Sequence, residues 1–164
     1  MTSRDPAADD LERSSEQWLA WLARETARRQ GRPGSALHAL WDVLEEWFAS
    51  DDFAGSALAA AVVAPPDGRG PAAHAALRRH RRAFRGLLED LARSAGAGDP
   101  PGLAGQLLTL VEGAMVGALV DRQPTAARHG RELTQIALRP RGRPRPQGRP
   151  SATPPWLRSP GGGA

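Results

Sequence analysis

No stretch of this chain alternates β-branched or aromatic residues with polar ones, and that period of two is what a half-buried strand needs. Val62 and Val63 stand together, but they run straight into Pro65-Pro66; Ile136 is the only isoleucine, and tyrosine is absent. A chain that cannot build a sheet must bury its apolar surface by packing helix on helix. The expected fold class is therefore all-α.

Helical periodicity supports this expectation in six places. The first helix is expected over about Asp9–Gln30, with Leu11, Ser15, Trp18 and Leu22 on one face and Leu19 and Trp21 beside them. Acids near its start and Arg28-Arg29 at its end suit the helix dipole. The second, about Ser35–Ala49, carries Leu37, Leu40, Trp41, Leu44, Trp47 and Phe48 at three- and four-residue steps. Ser35 is its expected N-cap. A turn at 50–55 precedes a short alanine-rich helix, Ser56–Ala64, and the proline- and glycine-rich stretch 65–71 is a loop by composition. The fourth helix, about Ala72–Ala95, sets Leu77, Phe84, Leu88 and Leu91 against Arg78, Arg79, Arg81, Arg82 and Arg85, read as a solvated face. Asp99-Pro100 opens the fifth, which reaches about Val120, and Thr125–Leu138 is the sixth.

The fifth helix combines a stripe of Leu103, Leu107, Leu110, Ala114 and Ala118 with neighbouring Gly105, Gly113 and Gly117. Glycine inside a helix costs about 1 kcal/mol relative to alanine. Three at four-residue multiples predict a face that another backbone approaches closely. The expected dimer seam pairs this helix and the sixth with their copies in a second subunit, through Leu103, Gly113, Ala114, Gly117, Ala118, Leu133 and Ala137.

Charge divides the chain. Residues 1–138 hold 16 arginines and 18 carboxylates, whereas residues 139–164 hold 6 arginines and no acid. The expected domains are thus a disordered 1–8, a helical 9–138 and a disordered Arg/Pro/Gly-rich tail, 139–164. The helical part is no basic nucleic-acid binder. The tail is the place for any phosphate affinity. Its Arg139-Pro140-Arg141-Gly142-Arg143-Pro144 is similar to an AT-hook core. In such a core Gly142 lets the backbone approach the minor-groove floor while Arg141 and Arg143 lie in the groove. GC-rich codon usage also produces such strings, and weak DNA binding is the most this tail is expected to add.

Several chemistries are excluded. The chain has no cysteine, so disulfides, thiolate catalysis and cysteine-ligated zinc drop out. His38, His74, His80 and His129 lack metal-ligand spacing and are expected at the surface or at helix edges, so no metal or cofactor is expected. No nucleophile, base and orienting group fall together, and the chain is not expected to be an enzyme. The acidic, polar start shows no signal peptide, and Glu112 interrupts the longest apolar stretch, Leu103–Val120. A cytoplasmic location without a membrane span is expected.

From Leu11 to Leu138 the chain resembles the C-terminal regulatory domain of TetR-family transcriptional regulators. Leu11-Glu12-Arg13-Ser14-Ser15-Glu16-Gln17-Trp18-Leu19-Ala20-Trp21-Leu22 is similar to the helix after the DNA-reading unit. Phe53-Ala54-Gly55-Ser56-Ala57-Leu58 resembles a turn often written Phe-x-Gly-Cys, with Ser56 in place of the cysteine. Asp99-Pro100 through Leu103-Ala104, Gln106-Leu107 and Glu112-Gly113-Ala114 look like the penultimate, dimer-forming helix, and Ala126-Ala127-Arg128 begins the last. Family members carry a helix-turn-helix unit ahead of this point, and here only Met1–Asp10 precede the match. The expectation is a start set too far downstream or a truncated gene, and the family's DNA-contacting residues map to no position here.

The resemblance implies a six-helix domain enclosing a pocket between the first, second, fourth and fifth helices. Its lining would be Trp18, Trp41, Leu44, Phe48, Leu77, Phe84, Leu107, Leu110 and Met115, which also read as ordinary core. It implies an apolar or aromatic effector, a homodimer, or a heterodimer with a full-length relative. Two other readings stay open: a stand-alone helical module binding small molecules or proteins, and AT-rich DNA binding through the tail.

Overall fold

The computed structural model describes residues 5–31, 35–64, 70–123 and 125–138. Among these it contains seven α-helices and no strand: α1 (Pro6–Arg29), α2 (Ala36–Phe48), α3 (Asp51–Ala54), α4 (Ala57–Val63), α5 (Pro71–Ser94), α6 (Pro100–Asp121) and α7 (Ala126–Leu138). The all-α class holds. The helix beyond the expected six is α3, a single turn inside the segment expected as a turn. Ser50 Oγ accepts from the Phe53 N–H at 3.3 Å and so caps it, and Phe53 is buried beneath.

Local chemistry sets the boundaries. α1 begins at Pro6, ahead of the expected Asp9, because Asp5 accepts from the backbone N–H groups of Ala7 and Ala8 at 3.1 and 3.4 Å, and proline suits the first helical position. Residues 6–8, expected to be disordered, are helical. Ser35 precedes α2 as expected but makes no side-chain capping bond. α5 closes on Gly96 at φ +75°, with Ala97 N–H bonded to Ala92 C=O and Gly96 N–H to Arg93 C=O, both at 3.0 Å. That pair of bonds is the Schellman closure, which needs the left-handed residue glycine provides. Asp99 caps α6, accepting from Gly102 N–H at 3.0 Å.

α5 packs between α1 and α6; α7 packs on α2 and α6, while α1 also contacts α2 and α4. Leu22, Leu40, Trp41, Leu44, Leu88, Leu107 and Val111 are fully enclosed where these helices meet. α7 is fastened to α2 by polar groups. Trp41 Nε1 donates to Thr134 Oγ1 at 2.9 Å, and the Thr134 hydroxyl donates to Gly130 C=O at 2.8 Å. Arg131 pairs with Asp42 and Glu45, and Arg128 joins Glu45 at 3.2 Å.

α6 is long and apolar enough to cross a membrane by length and composition alone. Within this fold it is a core helix, with Ala104, Leu107 and Val111 fully enclosed. Glu112, halfway along, meets Arg81 of α5 at 3.0 Å. Burial raises the Glu112 pKa and Arg81 opposes that rise.

Candidate ligand cleft and the outward face of α6 and α7

The residues expected to line a pocket gather in the interior. Trp18, Trp41, Leu44, Phe48, Leu77, Phe84, Leu107 and Met115 are buried members of one apolar cluster, and half-buried Leu110 packs against it. They act as packed core. Trp41 illustrates why: its ring is wedged between α2 and α7 and lies where a side chain at Gly130 would stand.

An open cleft of about 510 Å³ lies instead between α1, the end of α2, α3 and the start of α4. Of the expected lining residues, only Trp18 borders it. Trp21 and Trp47 border it too. The Trp18 and Trp47 ring centroids are 5.2 Å apart, and those of Trp21 and Trp47 are 6.2 Å apart. Ser14, Gln17, Trp18 and Trp21 share one stripe of α1 at helical spacing, and that spacing was the available signal. What it could not show is that Trp47 and the α3 turn close the other side. Glu46 and Asp52 stand at the rim as carboxylates. Glu46 is held by Arg29, whose Nη1 and Nη2 both donate at 2.7 Å, and this bond depresses the Glu46 pKa.

Behind Trp18 lies a polar pair the sequence did not reveal. His80, expected at the surface, is buried on α5. Its Nδ1 lies 2.8 Å from Ser15 Oγ, and its ring sits against Trp18 and Phe84. His80 reaches the interior because it lies three residues from Leu77 and four from Phe84, on their face of the helix. Burial, helped by Arg81, pulls its pKa down to about 4, so the ring is neutral at pH 7. The pair resembles a nucleophile with its base, but both residues are buried and neither borders the cleft. Its evident role is to satisfy two polar groups inside an aromatic cluster. The indole N–H of Trp18, also buried, has no hydrogen-bond partner among the described residues.

The expected seam residues divide into two sets. Leu103, Ala114 and Ala118 are covered by their own subunit. Gly113 and Leu133 are exposed, and Gly117 and Ala137 are half-buried, with Gly117 facing Ala126 of α7. Beside expected Leu133, 48% exposed, the surface carries three apolar residues the sequence did not single out: Val116, Val120 and Ile136 are 44%, 72% and 57% exposed. Among the described residues, nothing beyond the helix's own backbone lies within 4 Å of the position a Cβ would take at Gly105 or Gly113. Leu103, Ala114 and Ala118 read as seam because an all-round apolar helix hides which of its stripes faces its own core.

Of the five arginines expected on the solvated face of α5, Arg79 binds Glu12 and Arg81 binds Glu112; Arg78, Arg79, Arg81, Arg82 and Arg85 are all exposed, as expected. The AT-hook-like residues Arg141, Gly142 and Arg143 lie outside the described residues. Comparison with family models, with curated proteins and with solved structures finds no match to this chain.

Proposed function

We propose that this chain is a dimerising, effector-sensing regulatory domain of TetR type, serving transcription control through a DNA-binding unit on the same polypeptide or on a heterodimer partner. The observation that carries this reading is the outward face of α6 and α7. Four large apolar side chains are left in solvent beside two glycines with open space above them. Apolar area of this kind marks an interaction site. Bare glycine on a helix lets a second helix come near enough to bury it. A twofold axis through the face sets α6 and α7 against their copies as a four-helix bundle, in which the same patch serves both subunits. The cleft beside Trp18 supplies the sensing element. Occupancy there shifts α1 and α2 relative to the α6–α7 pair, and that population shift is the signal.

Sedimentation velocity of the full chain tests the seam. The wild type is expected to run as a dimer at micromolar concentration, and Val120→Arg with Ile136→Arg as a folded monomer. Both positions are solvent-facing in the protomer, so helical content by circular dichroism stays unchanged. A monomeric wild type, or a double variant that stays dimeric, overturns the reading.

A further inference from the structure

The cleft beside Trp18 is lined asymmetrically for a chain so rich in arginine. Three indoles form its apolar wall, Glu46 and Asp52 stand at its rim, and no cationic side chain is among the described residues lining it, although the sequence carries 22 arginines. Arg29 reaches Glu46 from the end of α1 and offsets its charge. Asp52 is exposed and has no ion pair among the described residues, so the rim keeps a net negative charge. Indole faces carry a negative quadrupole and attract cations more strongly than any other side-chain ring. Carboxylates at the mouth add attraction over longer range. A volume of about 510 Å³ is in the range of small-molecule sites.

From this geometry we infer that the cleft binds a flat or compact organic cation, with its apolar body against Trp21 and Trp47 and its positive charge toward Asp52 and Glu46. The inference rests on the ligand-sensing reading and narrows it: the expected apolar or aromatic effector carries a positive charge.

The test uses the full chain and two dyes of nearly equal shape: thioflavin T, a benzothiazolium cation, and its uncharged benzothiazole parent lacking the ring N-methyl group. Binding is read by dye fluorescence and by calorimetry. Thioflavin T is expected to bind one per chain, about tenfold or more tighter than the neutral parent. Asp52→Asn is expected to weaken thioflavin T about threefold, and Asp52→Asn with Glu46→Gln about tenfold, with the neutral dye changed less than about twofold. Both carboxylates are exposed, so these variants keep the fold, which circular dichroism verifies. Equal binding of the two dyes, or cation binding that ignores both substitutions, overturns the charge assignment while leaving a ligand cleft. Binding of neither dye overturns the cleft as a cation site. Sedimentation of the same samples reports the dimer independently, so a failed seam and a failed cleft give different results.

Discussion

His80 shows what one buried titratable residue does to a small helical core. Its ring stays neutral because protonation would place a charge among Trp18 and Phe84. The folded-state pKa is about 4, below the unfolded value, so the unfolded chain binds the proton first as pH falls. The contribution is intact above about pH 6.5 and is lost between there and pH 4; a shift of this size corresponds to about 3 kcal/mol at its limit. Urea denaturation from pH 7 to 4 is expected to show that decline. It should flatten in His80→Gln, which keeps a polar partner for Ser15. Two glycines give a second contrast. A Cβ at Gly130 would collide with the Trp41 ring, whereas at Gly86, on the exposed side of α5, nothing among the described residues lies within 4 Å. Gly130→Ala is expected to lower stability by about 1–3 kcal/mol through overpacking, and Gly86→Ala to raise it by about 1 kcal/mol, both measured by denaturant midpoint.

Whole elements follow the sequence closely where capping and periodicity agree. Asp99-Pro100 was legible as the start of α6, and the structure shows the Asp99 carboxylate on Gly102 N–H. Asp99→Ala is expected to cost about 1 kcal/mol, seen as a lower denaturation midpoint. α5 was equally legible from Leu77, Phe84, Leu88 and Leu91. What the period missed was short or polar. α3 is a single turn, too brief to show any repeat, and α1 gains its first turn from Asp5, outside its apolar stripe. On α6 the sequence marks a helix but not its outward side. Nearly every position there is apolar or small, so no polar stripe marks the surface, and only contact with α5 and α7 separates Ala114 from Val116.

At the scale of the molecule, the exposed Val116, Val120, Leu133 and Ile136 leave a single protomer with surface that pairing would bury. A dimer that forms through this face ties stability to protein concentration by mass action. The thermal midpoint of the wild type is therefore expected to rise with concentration, and that of the Val120→Arg, Ile136→Arg variant to be independent of it. The cleft belongs to the fold of one chain, and no single helix builds it. α1 supplies Trp18 and Trp21, but the site needs Trp47 from α2 and Asp52 from α3 brought alongside.

The helical class, most boundaries and the membership of the apolar core were decided by the sequence alone, because period, capping and glycine placement act over a few neighbouring residues. Three matters required the tertiary structure: that His80 points inward to Ser15, that Trp41 spends its N–H on Thr134, and that three indoles share one opening. Each joins residues from different helices, some of them 65 or 93 positions apart, and no local pattern encodes which stripe of one helix meets which stripe of another.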